Sequence, residues 1–181
     1  MRRYRVDPEK TCMYFCTNTI VEWQCLFKEE KYRQIVVDSL NYCRESKGLL
    51  LYGLVIMLNH IHLIASTIED ILLSDIMRDF KRYTSKRFAR ELELDREKLM
   101  MYIFRKAAEK QKKGANYKIW RDEYHPEAIY SEKWFFQKLN YLHENPVRKG
   151  FVAKPEDWKY SSARNWVLDD HSVIQLDLSE F

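Results

Sequence analysis

Two runs in the chain combine residue type and spacing in a way that could do chemistry. In residues 49–66, LLLYGLVIMLNHIHLIAS, His60 and His62 stand inside an apolar run. Residues two apart on a β-strand project to one face, so the imidazoles would point together while Ile61 and Leu63 turn the other way. Two neutral imidazoles make half of a metal site. Imidazole suits several transition metals, and with oxygens from an amide, water and phosphate the pair would also accept Mg2+ or Mn2+. The structural alternative is a pair of strand histidines facing a polar surface or bonded to backbone carbonyls. In residues 134–150, WFFQKLNYLHENPVRKG, Tyr141 and Asn145 lie one helical turn apart on one face. A phenol titrates near pH ~10 in water, so as a nucleophile it needs deprotonation and an electrophile polarised by a cation. Asn145 could hold such a cation by its amide oxygen; its structural alternative is a cap before Pro146. His125 and His143 are further candidate ligands or proton carriers.

The elements that must position these residues belong to a chain of 181 residues, 46% hydrophobic, which fits one domain over residues 1–181 with residues 151–181 as a C-terminal arm. The net charge of +4 implies no partner by itself, and only clustering of the cations would. Cys12, Cys16, Cys25 and Cys43 show no C-x-x-C spacing, so neither a zinc knuckle nor a disulfide framework is expected. Reduced thiols and the lack of an apolar leader after Met1 point to a soluble, cytoplasmic protein. No run approaches membrane-spanning length, and no Walker-type glycine loop is present to hold a nucleotide.

Residues 11–27 read as a long, bent first strand and residues 29–45 as a helix closed by Gly48. Strands over 49–57 and 60–66 follow, joined by a tight turn at Leu58 and Asn59. Residues 71–92 form an amphipathic helix whose apolar stripe is Leu73, Ile76, Met77, Phe80, Thr84 and Phe88. On its far side Arg78, Arg82, Lys86 and Arg90 make a ridge at spacing four. Like charges in line repel, so an external anion would relieve them; the alternative is a solvated helix face. A charged helix over 95–113, a strand near 117–122 and an irregular segment over 123–129, set by Pro126, come next. Ser131 is placed to cap a last long helix ending near Asn145. This order predicts an α+β, ferredoxin-like split βαβ fold with a central antiparallel sheet, packed helices and the histidines on a middle strand.

Residues 58–64, LNHIHLI, resemble the histidine–hydrophobic–histidine motif of single-tyrosine transposases. Residues 140–150, NYLHENPVRKG, resemble the downstream tyrosine motif of their REP-associated branch, and residues 158–163, WKYSSA, its closing segment. The resemblance implies that Tyr141 attacks a scissile phosphate in single-stranded DNA beside imperfect hairpins. A 5′-phosphotyrosine and a free 3′-hydroxyl would result, with His60, His62 and Asn145 holding Mg2+ or Mn2+. It makes the ridge from Arg78 to Arg90 a candidate backbone contact, and it favours a monomer over a homodimer. Two other functions fit the same residues: a non-catalytic protein binding single-stranded DNA hairpins, and a metal-dependent hydrolase of small phosphoesters.

Overall fold

The computed structural model describes residues 13–68, 70–111, 114–122 and 125–177. In chain order they form β1 (Met13–Thr19), α1 (Glu30–Lys47), β2 (Leu49–Ile56), β3 (His60–Thr67), α2 (Leu73–Leu94) and α3 (Lys98–Glu109). After these come β4 (Glu127–Ile129), α4 (Glu132–His143), α5 (Asn145–Arg148) and α6 (Ala163–Leu168). The sheet order is β2-β3-β1-β4 with every pair antiparallel. This is the expected split βαβ arrangement: β1 and β2 run the same way and β3 separates them.

The two-residue period of β3 divides its side chains between two cores. Ile61, Leu63 and Ala65 join the larger one, with Tyr32, Ile35, Val36 and Leu40 of α1 and Leu73, Ile76, Met77, Phe80 and Phe88 of α2. Ile64 joins the smaller one, with Phe15, Tyr52, Val55 and α4's Phe135, Leu139 and Leu142. His60 and His62 share the face of Ile64 by alternation. Helices therefore cover both faces, and the histidines lie on the α4 side. Gly53 lets α4 come close, since a Cβ there would stand only 3.0 Å from the Leu139 Cδ1 atom.

Local signals account for the helix ends. Ser131 Oγ accepts a hydrogen bond from the Trp134 N–H at 3.3 Å, as a cap should. Gly48 closes α1 at φ 71°, a left-handed geometry that costs an L side chain about 1 kcal/mol or more. The stripe residues of α1 and α2 are buried as their period requires.

Four expectations need correction. The first strand stops at Thr19 because Glu22 and Trp23 adopt positive φ and turn the chain into short 3-10 segments; residues 11 and 12 lie outside the described set. Residues 117–122 do not form a strand. Ile119 and Trp120 are buried against the helices, and of this segment only Trp120 makes a bridge, an isolated one opposite Ile20. The fourth strand is instead Glu127–Ile129, inside the segment expected to be irregular: Pro126 stops just short of it, and as an edge strand it pairs on one side only. The helix over 95–113 shrinks to Lys98–Glu109, with Arg96 at φ 58° breaking it from α2. Residues 112 and 113, its expected end, lie outside the described set.

The C-terminal arm seals the free edge of β2. The Ile56 N–H donates to the Tyr160 carbonyl at 3.0 Å, the Leu54 N–H to Ser162 Oγ at 2.9 Å, and the Trp158 indole N–H to the Ile56 carbonyl at 3.0 Å. Further on, Asp177 accepts two hydrogen bonds from Arg44, each 2.7 Å, and one from the Leu51 N–H. An exposed edge invites pairing with other chains, so this cover is protective. Trp166 does not enter the core and stays 43% exposed beside Phe135 and Phe136. Gly48→Ala should lower stability by about 1–2 kcal/mol, because the left-handed turn is strained for alanine and its Cβ would press on Ile68 and Ile71. Urea unfolding reads the loss, and an unchanged midpoint would contradict the cap assignment.

Candidate active site

The hairpin of β2 and β3 brings the histidines to the end of the sheet. Its turn is pinned from outside: the Ile20 N–H donates to the Asn59 carbonyl and the Phe27 N–H to the Leu58 carbonyl, both at 2.9 Å. The His60 and His62 rings lie 4.8 Å apart between centroids, nearly edge to face. Each imidazole is oriented by a neighbour. Asn59 Oδ1 lies 2.7 Å from Nδ1 of His60, and Thr17 Oγ1 lies 2.8 Å from Nδ1 of His62. Asn59 Oδ1 can only accept, so His60 carries its proton on Nδ1 and keeps an Nε2 lone pair; Thr17 can set the same tautomer for His62. Second partners of this kind fix ring orientation and raise ligand basicity at metal sites. Phe15, on β1, stacks on His62 at 5.2 Å and 24°.

Tyr141, carried by α4, comes to the same place. Its ring lies 5.7 Å from that of His62 and 5.8 Å from that of Phe15, in both cases nearly perpendicular. The tyrosine is 44% exposed, so it is not a core aromatic. Arg148, in α5, reaches back over it: its Cζ stands 4.3 Å from the ring centroid and its Nη2 donates to the Tyr141 carbonyl at 2.7 Å. A contact of this type contributes about 0.5–2 kcal/mol and fixes the ring.

The helix ends near Asn145, as expected, its last residue being His143. Glu144, in helical geometry, joins α4 to the short α5, where Pro146 sits in the first turn and needs no N–H partner. Asn145 is buried, and among the described residues no hydrogen bond engages its side-chain amide. Nor does any group of three His, Cys, Asp or Glu side chains gather around a common point among the described residues. By donor type alone, the Nε2 atoms of His60 and His62 and the amide oxygen of Asn145 suit a divalent cation.

Burial pushes the His60 imidazole down to about 4, with Lys149 adding to the effect. His62 falls to about 3 through burial first, then His60, Arg148 and Lys138. Both are neutral near pH 7, the form a metal requires. The surroundings carry an excess of positive charge, which favours an anion.

The other candidates lie elsewhere. His143 is buried on α4 with its Nε2 2.9 Å from Ser162 Oγ. Ser162 Oγ also accepts the Leu54 N–H, so His143 is engaged in tying α4 to the arm and to β2. His125 is exposed in the segment leading into β4. The ridge of Arg78, Arg82, Lys86 and Arg90 is exposed on α2, whose apolar stripe belongs to the core on the opposite face of the sheet, so the fold does not bring it to the histidines. Its charges are also partly balanced from within. Arg78 pairs with Asp75 at 2.5 Å and Arg82 with Asp79 at 3.1 Å. Phe15, Thr17, Asn59 and Arg148 escaped the sequence reading. Asn59 and Arg148 sit inside the two motifs and could have been weighed; Thr17 and Phe15 depend on strand register.

Comparison with known proteins bears on this geometry. The family described as "Transposase IS200 like" matches residues 11–105, more than half of the chain. The chain belongs to the IS200-like transposase family. A protein of Haemophilus influenzae, provisionally named a REP-associated tyrosine transposase, is 25% identical over 169 residues, which cover 90% of this chain and 85% of that protein. A solved structure of a REP-associated tyrosine transposase bound to a REP hairpin matches with a TM-score of 0.64 at 19% identity, over 99% of this chain and 100% of the other. The likeness supports the fold of the described residues, arm included, for this IS200-like family member. The family match covers β1 to α3 and so includes the histidines, while Tyr141 lies beyond it.

Half-buried His60 and buried His62 and His143 are held down to about 4, 3 and 4 from an ordinary 6.5, in each case by burial first. Between these limits the unfolded chain binds protons that the native one refuses, so stability rises with pH there. The urea midpoint should fall steadily as pH drops from 6.5 towards 4, less steeply in His143→Asn. A midpoint independent of pH would show that these rings are not held neutral.

Proposed function

We propose that the chain is a DNA nicking and strand-transfer enzyme, a transposase acting beside hairpins, with Tyr141 as its nucleophile. The observation that carries this reading is the half-exposed Tyr141 ring 5.7 Å from His62, under the guanidinium of Arg148. A phenol offered to solvent beside two neutral imidazoles and a cluster of cations suits attack on a phosphodiester. Tyr141 Oη would form a bond to the scissile phosphorus as the bond to the 3′ oxygen breaks. The phenol proton leaves, the 3′ oxygen gains one, and a 5′-phosphotyrosine and a 3′-hydroxyl result. The linkage conserves the phosphodiester bond energy for rejoining, so no nucleotide is consumed.

His60, His62 and Asn145 would hold Mg2+ or Mn2+, which when bound polarises the phosphate oxygens. Arg148 and Lys149 lie where they can meet the phosphate charge directly, and Lys138 stands beside Phe15 at 5.1 Å on the same side. The named partners of the relatives support hairpin-bearing DNA as substrate. Nucleophile and imidazoles come from one chain, which supports action as a monomer. We place the principal phosphate contacts at these cations, with the α2 ridge facing another direction.

On hairpin-bearing single-stranded DNA with Mg2+ or Mn2+, Tyr141→Phe should abolish covalent adduct and cleavage by a factor on the order of 10^3 or more, with binding retained. A variant that still nicks would dismiss the tyrosine. The slope of log affinity against log salt should flatten by about one unit in Lys149→Ala and stay unchanged in Lys86→Ala and Arg90→Ala. The reverse pattern would return the ridge to the interface.

A further inference from the structure

A cavity of about 520 Å³ opens between α1 and α2, on the layer turned away from the histidines. Its floor is apolar, built from Ile35, Cys43 and Phe80, all buried. Burial pushes the Cys43 thiol up to about 11, so the sulfur is neutral and adds to that floor. Tyr42 of α1 and Tyr83 of α2 also line it and are 57% and 50% exposed, which puts one phenol ring at each lip. Clefts of roughly 300–1,000 Å³ with apolar and aromatic walls and a few polar groups are the common form of a small-molecule site.

Two polar features define what would fit. Ser39 lines the cavity, is only 4% exposed, and among the described residues no hydrogen bond engages its hydroxyl. A hydroxyl so enclosed is available, as donor or acceptor, to a molecule that fills the space. The second feature is charge. Among the described residues Lys47, Arg82, Lys86 and Arg87 line the cavity against the carboxylates of Asp38 and Asp79. Asp79 is taken by Lys47 at 2.6 Å and by Arg82 at 3.1 Å, and Asp38 accepts from Gln34 at 2.8 Å. Lys86 and Arg87 have no carboxylate partner among the described residues; Arg87 donates to the Tyr83 hydroxyl at 3.1 Å. Tyr83, Lys86 and Arg87 are three and four residues apart, so the ring and both cations share one side of α2. An apolar floor between two phenol rings, an unengaged hydroxyl within it and two cations on one lip suit a flat polar ring joined to an anion.

We propose that the α1–α2 cavity binds a free nucleotide, with its base over the Phe80 floor beside the two tyrosines and its phosphates against Lys86 and Arg87. Ser39 offers its hydroxyl to the edge of the base. The cavity and the histidines lie on opposite faces of the sheet, so this site stands apart from the nicking reading and neither depends on the other.

The test titrates the whole chain with ADP in the presence of EDTA, followed by amide NMR shifts, with adenosine and inorganic phosphate as separate probes. ADP should move amides of α1 and α2 and bind about tenfold or more tightly than either half. Lys86→Ala should weaken ADP about tenfold and leave adenosine within about twofold, whereas Tyr83→Ala and Ser39→Ala should weaken both. Arg90→Ala, on the same helix but outside the cavity, should change neither. Absence of shifts at millimolar ADP, or an ADP affinity untouched by Lys86→Ala and Tyr83→Ala, would overturn the site. Hairpin-bearing DNA added to the complex should leave ADP in place. Displacement of ADP by that DNA would assign the cavity to the end of a nucleic-acid chain and overturn the free-nucleotide site.

Discussion

The site depends on how β3 is gripped between β1 and β2. A one-residue slip would send His60 and His62 into the α1 side and bring Ile61 and Leu63 out, so the register is held by every apolar residue on both faces of the strand. Pairing Thr17 with His62 and Phe15 with Ile64 is part of the same register. It supplies one imidazole with a hydrogen-bond partner and places the aromatic wall against which it stacks. Gly53, across the hairpin, admits α4 to the depth at which Tyr141 meets that wall.

Burial then decides the electrostatics. An imidazolium would have to leave water beside Lys149, Arg148 and Lys138, so both rings stay neutral and their outward nitrogens keep lone pairs. Among the described residues, Glu127 is the carboxylate that pairs with a cation near the rings, at Lys138. Ion pairs lie on the opposite layer too. Asp79 accepts from Lys47 at 2.6 Å and lies near Arg78 and Arg82, and its carboxyl is held below the ordinary range by that company. The net charge of +4 thus hides where the pairs lie. Among the described residues Arg78 and Arg82 on α2 have carboxylate partners and Lys86 and Arg90 do not, while beside the histidines Lys138 has one and Arg148 and Lys149 do not. Overall charge would not have revealed this, because it counts ion pairs and lone cations alike.

The C-terminal arm links stability to the site. Through Ser162 it touches both β2, at Leu54, and α4, at His143, so the element carrying Tyr141 is anchored at its buried side. A histidine that looked like a spare ligand in the sequence is one end of this clamp.

Patterns that repeat within a few residues were legible from the sequence: the stripes of α1 and α2, the Ser131 cap, the left-handed Gly48, the alternation of β3 and hence the shared face of His60 and His62. The order of elements was enough for the sheet topology, and the two motifs for the family. What failed were features set by distant partners. Residues 117–122 look strand-like yet plug the core, with the Trp120 indole N–H donating to Thr84 2.9 Å away. Residues 127–129 look irregular yet pair with β1. The ridge on α2 was visible as a period of four, but the layer it faces was not. The sequence by itself determined which residues could act and which local faces they occupy, because those follow from backbone geometry over a turn or two. Only the tertiary structure decided that Tyr141 meets His62, that Thr17 and Asn59 orient the imidazoles, and which cations stand nearby, because each of those contacts joins residues or layers whose distance is set by packing.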